Sequence, residues 1–92
     1  MNVQIVGKNV SITDSIRASV EKKLARMDKY FVKDTDEVLA RVVVVAYNVG
    51  AKVEITIFTK AMDFRTEVRD NDLYAAVDLA IDKLEDQMRR LK

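Results

Sequence analysis

In two stretches, 51–57 and 64–69, apolar or β-branched side chains fall on every second position. Val53, Ile55 and Ile57 alternate with Lys52, Glu54 and Thr56, and Phe64, Thr66 and Val68 alternate with Arg65, Glu67 and Arg69. A period of two belongs to a strand with one dry face and one wet face. These residues therefore read as two antiparallel strands, 51–59 and a second starting near Phe64, joined by a turn at 60–63. A strand pair cannot cover its dry face alone, so the rest of the chain must lie across it.

Two helical stripes are available for that purpose. Ile16, Val20, Leu24, Met27 and Phe31 recur at intervals of three or four residues, as do Leu73, Val77, Ala80, Ile81, Leu84, Met88 and Leu91. Thr13 precedes the first stripe, where its hydroxyl accepts a hydrogen bond from a free first-turn N–H, and Asp14 suits the positive end of the dipole. That helix is expected to run to about Tyr30. Asp70, Asn71 and Asp72 offer caps for the last helix, which is expected to reach the chain end.

Two further strands complete the reading. Residues 2–7 alternate Asn2 and Gln4 with Val3 and Ile5 and close at Gly7, while residues 38–47 are rich in β-branched side chains. A polar connection at 33–37 precedes the second of these, and Asn48-Val49-Gly50 turns it into a hairpin. The order is strand, helix, three strands, helix. This is an α+β chain of two layers, β-α-β-β-β-α, with both helices on one face of a mostly antiparallel four-stranded sheet. The run Val42 to Val45 breaks the alternation and reads either as buried on both sides or as a protein contact.

Ninety-two residues suffice for one domain with one core. There is no cysteine and no histidine, which removes thiolate and imidazole metal ligands, the usual general base near neutral pH, and Ser-His or Cys-His nucleophiles. The two glycines are too far apart for a phosphate-cradling loop, so no cofactor, no metal site and no catalytic residue is expected. Asp82 with Asp86 reads as a solvated pair and not as a cation site. The start of the chain lacks a secretory pattern and no apolar run spans a membrane, so the expected location is the cytoplasm.

Sixteen Lys plus Arg against fifteen Asp plus Glu leave a net charge of +1, so an anionic partner must be argued from placement. At about 100° per residue, Lys22, Arg26, Lys29 and Lys33 fall within roughly 60° of one another, opposite the apolar stripe. Asp14, Glu21 and Asp28 collect on one flank. In the last helix Asp78, Asp82 and Glu85 share a flank, and Lys83 and Arg90 share the other. A solvated helix face is charged in any case, and acids early with bases late are what the dipole favours. Against that stands the mid-helix position of Lys22 and Arg26. If both helices turn their ridges to the same side, they frame a groove suited to an RNA backbone. Among the aromatic residues, Phe58 shares a strand face with Lys52 and Glu54 and is a minor candidate for base stacking.

Four stretches carry a family resemblance: Val10-Ser-Ile-Thr-Asp-Ser-Ile-Arg17, Lys23-Leu-Ala-Arg-Met-Asp-Lys-Tyr-Phe31, Asp72-Leu-Tyr-Ala-Ala-Val-Asp78 and Asp82-Lys-Leu-Glu85. In order and spacing, over essentially the whole chain, they resemble the ribosome hibernation promoting factors and ribosome-associated translation inhibitors, most closely the amino-terminal domain of the long form. The resemblance implies a fold related to double-stranded RNA-binding domains. It further implies docking on the small ribosomal subunit at the decoding region, with messenger RNA and the A and P transfer-RNA sites obstructed in stationary phase or stress. The residues implied to contact ribosomal RNA are Lys22, Arg26, Lys29, Lys83 and Arg90, with Arg89 compensating in part for Asp86, an acid where the family's last helix carries a base. The long form adds a linker and a domain that dimerises and pairs ribosomes. This chain stops at Lys92, where that linker would begin.

The leading expectation is therefore a non-enzymatic domain that inhibits translation sterically, with no small-molecule substrate and no membrane partner. It carries the expectation that Arg26→Glu abolishes ribosome co-sedimentation without changing the circular dichroism spectrum. A protein-interaction or dimerisation module, pairing through the Val42 to Val45 strand or a sheet edge, is the alternative. A small-molecule regulatory domain lacks any Gly-rich ligand loop.

Overall fold

The computed structural model describes residues 1–31, 38–60 and 62–90. The expected connection at 33–37, the extension of the ridge to Lys33, and Leu91 lie outside those residues. The elements are β1 (Asn2–Lys8), α1 (Asp14–Leu24), a 3₁₀ helix (Ala25–Tyr30), β2 (Leu39–Ala46), β3 (Ala51–Phe58), β4 (Asp63–Asp70) and α2 (Leu73–Arg89). The sheet order is β1-β2-β3-β4. The β1–β2 pair is parallel, as the intervening helical crossover requires, and the other two pairs are antiparallel.

Local chemistry starts each helix. Thr13 is extended and its hydroxyl accepts from the Ile16 N–H at 3.2 Å; Asp72 does the same for Tyr74 at 3.0 Å. The hairpin between β2 and β3 turns at Gly50, whose φ of 84° lies in the left-handed region. A Cβ there would press on the Asp70 carbonyl at the end of the β4 strand.

The core lies between the sheet and the two helices. Val42 and Val44 of β2 and Val53, Ile55 and Ile57 of β3 are fully buried beneath Val20, Leu24 and Met27 from one side and Val77, Ile81 and Leu84 from the other. Ala76 and Ala80 are also fully buried and carry little bulk where α2 meets the sheet. Val43 and Val45 point to the opposite face and are half-buried. The valine run thus alternates after all: its two apolar sets serve two faces. Since β2 is paired on both sides, it offers no free edge to another chain, which removes pairing through the Val42 to Val45 strand and leaves β1 and β4 as the sheet's edges.

The first helix departs from the expected continuous α-helix. It tightens at Ala25, and residues 25–30 wind as 3₁₀, about 120° per residue. Arg26 and Lys29, about 60° apart on an α-helix, are nearly eclipsed on this segment. No helix among the described residues is long and apolar enough to cross a membrane.

Candidate nucleic-acid interface

The solvent side of the first helical segment carries Lys22, Arg26 and Lys29, all exposed. Lys22 makes no ion pair among the described residues. Arg26 and Lys29 do, because α2 runs beside them with its acidic flank turned inward. Arg26 Nη2 lies 3.0 Å from Asp82 Oδ1 and 3.1 Å from Glu85 Oε1, and Lys29 Nζ lies 3.6 Å from Glu85 Oε2. One turn earlier Lys23 Nζ reaches Asp78 Oδ1 at 2.6 Å. The Tyr30 hydroxyl donates to Glu85 at 3.4 Å, and the Lys29 ammonium sits 5.3 Å from the Tyr30 ring centre.

The eclipsed 3₁₀ positions explain why one carboxylate serves two cations: Arg26 and Lys29 stand one above the other and each takes one oxygen of Glu85. That side chain is only 12% exposed, whereas Arg26 and Lys29 remain 47% and 66% exposed. The seam between the helices is therefore an ion-paired ladder of Lys23, Arg26 and Lys29 against Asp78, Asp82 and Glu85. Both sets recur at steps of three or four residues, a complementarity present in the sequence. Periodicity within one helix does not show it, and neither Lys23 nor Glu85 stands among the contact residues expected from the sequence.

The seam changes the geometry expected of the two basic stripes. Gln87 Nε2 donates to the Arg65 carbonyl of β4 at 2.9 Å, so the flank of α2 bearing Gln87 faces the β4 edge. Lys83 and Arg90, four residues before it and three after, share that flank. They lie on the far side of α2 from α1, and the two stripes do not frame a common groove. Arg89 is bound to Asp86 of its own helix at 2.7 Å, and this contact raises its already high pKa. Asp82 and Asp86, the possible cation pair, are each engaged by an arginine. Glu21 of α1 and Asp28 of the 3₁₀ helix lie on the flank opposite α2, beside Met1 to Val3 at the start of β1.

Arg26→Glu is consequently a poor probe of RNA contact, since it would set a third carboxylate against Asp82 and Glu85 and damage the helix seam.

The sheet face away from the helices is also charged. Lys52 Nζ lies 3.4 Å from Glu54 and 3.6 Å from Glu67. Hydrogen bonding with Glu67 first, and then the Lys52 ammonium, hold the Glu54 carboxyl below the usual carboxylate range. Arg69 stacks over Tyr47, its guanidinium carbon 4.3 Å from the ring centre.

Comparison with known proteins gives a consistent result. Residues 3–92 match the family described as Sigma 54 modulation protein / S30EA ribosomal protein. The chain is 42% identical over 90 residues to the ribosome hibernation promotion factor of Staphylococcus aureus (strain COL), covering 97% of this chain and 47% of that protein. It is 44% identical over 89 residues to the factor of the same name from Lactococcus lactis subsp. cremoris (strain MG1363), covering 96% and 48%. It thus spans about half the length of these relatives. Among solved structures, the Thermus thermophilus Protein Y N-terminal domain superposes with a TM-score of 0.87 at 43% identity over the whole of both chains. A ribosomal subunit interface protein from Coxiella burnetii gives 0.84 at 25% identity, covering 99% of this chain and 97% of that one.

Proposed function

The chain belongs to the Sigma 54 modulation protein / S30EA ribosomal protein family, and from that premise we propose that its 92 residues are a ribosome-binding domain of a hibernation factor. In this reading the domain docks on the small subunit at the decoding region, holds ribosomal RNA by phosphate contacts and shape, and silences translation by occupying the messenger RNA and transfer-RNA sites. It transforms no substrate and works in the cytoplasm. Pairing of ribosomes, as in the long form, would need a dimerising segment outside these residues.

The observation that carries the reading is the ridge on the first helical segment. Lys22 is exposed and without an ion pair among the described residues, and Lys29, though it touches Glu85, keeps two thirds of its side chain in solvent. Arg26 stands between them, its charge shared with two acids. Lys83 and Arg90 form a second, separate contact on the β4 side of α2, and Arg89 contributes least because Asp86 holds it. Two sites on opposite flanks suit a partner that wraps the domain, as a cleft of structured RNA does, better than a single strand lying in one groove.

The test is co-sedimentation with ribosomes and in vitro translation, comparing the parent with the double variant Lys22→Glu and Lys29→Glu. The expected result is at least about a tenfold loss of affinity, a log-log salt slope shallower by about 1.8, and relief of inhibition, with an unchanged circular dichroism spectrum. Undiminished co-sedimentation by the folded double variant would defeat the ridge.

A further inference from the structure

We infer that the open face of the sheet is a second RNA site, one that takes an unpaired nucleotide, with its base stacked on Phe58 and its flanking phosphates held by Arg41 and Arg65. The proposal rests on the reading of the chain as an RNA-binding domain for its partner, but not for its site, which lies on the face opposite both helices.

The register places these residues. Arg41 of β2, Thr56 of β3 and Arg65 of β4 are successive Cα partners in one row across the sheet, and Leu39, Phe58 and Asp63 form the adjoining row. With strands about 4.8 Å apart, the two arginine Cα atoms stand roughly 10 Å from each other, with Phe58 one row away and centred between them. A depression of about 450 Å³ opens over these residues and reaches Lys8 and Val43.

Three observations point to a nucleotide. First, Phe58 is 37% exposed although it is a large apolar ring on an inner strand, at the end of β3. The chain's other exposed sheet-side ring, Tyr47, is already covered by Arg69, whereas no side chain is stacked on Phe58 among the described residues. Base stacking on an exposed aromatic ring is sequence-tolerant and needs only such a free face. Second, neither Arg41 nor Arg65 makes a direct ion pair among the described residues, although Arg65 stands near enough to Glu54 to help lower its pKa, and a guanidinium is the side chain best matched to a phosphate. Third, the charge balance of the face favours an anion. Its cations are Lys8, Arg41, Lys52, Arg65 and Arg69, and its acids are Glu54, Asp63 and Glu67. The surplus of two exceeds the net +1 of the whole chain, and two of the three acids are already tied to Lys52. Asp63, beside Phe58, and Glu54, which shares one lysine with Glu67, are the negative groups lining the depression, and Asp63 sets the strand's path toward the Arg41 side.

The test is fluorescence anisotropy with a short single-stranded oligoadenylate, using the 92-residue chain and its variants. Phe58→Leu keeps an apolar side chain and removes the stacking plane; its affinity should fall about five- to 150-fold. Arg41→Gln with Arg65→Gln should make the log-log salt slope shallower by about 1.4. The helix variant Lys22→Glu with Lys29→Glu should bind the oligomer within about twofold of the parent, so that failure of the ridge and failure of this face are read separately. Parent-like binding by folded Phe58→Leu, or no binding of the oligomer by the parent, would overturn the proposal. In the second case capture of a protein partner by the same face, lost with Phe58→Leu, would identify the other occupant.

Discussion

Glu85→Gln should weaken the fold and strengthen ribosome binding at the same time. The substitution preserves shape and leaves an oxygen for the Tyr30 hydroxyl, but it deletes the charge that faces Arg26 at 3.1 Å and Lys29 at 3.6 Å. A hydrogen bond to a charged group contributes about 1.5–3 kcal/mol against about 0.5–1.5 for a neutral one. Because Arg26 is half-exposed and keeps Asp82, the lower end applies, about 1 kcal/mol, which for a chain of this size lowers Tm by about 4–8 °C. Binding responds with the opposite sign. A carboxylate about 7 Å from an RNA phosphate repels it by about 332/(80 × 7), or roughly 0.6 kcal/mol in water. Removing it should tighten the Kd about threefold at low salt, and the gain should shrink as the screening length shortens. Thermal unfolding and ribosome co-sedimentation at two salt concentrations measure both. A fall in ribosome affinity would refute the reasoning, for it would mean that Glu85 orients Arg26 and Lys29 toward RNA and does not cancel their charge.

Two further outcomes concern the fold itself. Leu84→Ala, at a fully buried position between α2 and the sheet, should cost about 2–5 kcal/mol and lower the urea midpoint with little change in m; a loss below 1 kcal/mol would mean that the core collapses around the gap. Lys52→Met tests the open-face charges: Glu54 has a depressed pKa in the folded state, so its contribution is present above the unfolded value of about 4.3 and is lost as pH falls through the folded one. The variant should therefore be less stable than the parent at pH 7, with the difference shrinking below about pH 4, and a difference of equal size at both would assign the effect to packing.

The elements were legible because each rests on a local signal. Thr13 and Asp72 cap where the sequence places them, and the two-residue alternation of β3 and β4 survives intact. The switch to 3₁₀ at Ala25 was not legible: residues 25–30 contain no glycine or proline to mark it. The basic positions were visible, but their partners were not. Helical periodicity says which residues share a flank, whereas only packing says which flank meets which. Asp78, Asp82 and Glu85 therefore read from the sequence as one flank of α2, and the structure makes that flank the other half of a seam. Likewise the exposure of Phe58 between Arg41 and Arg65 needed the β2–β3–β4 register, which no single strand contains.

The hydrogen bond from Gln87 to the Arg65 carbonyl bears on where the sheet stops. An outer strand presents a row of unpaired backbone groups, and any further strand of the right length could continue the ladder. On β4 a helix side chain occupies one of those carbonyls, and Arg65, Glu67 and Arg69 place alternating charges along the same strand. The β1 edge runs past Glu21 and Asp28 of the first helical segment. The helical layer thus helps to set the number of strands: a copy of the chain adding a strand to β4 would have to displace Gln87 and lie beside those charges.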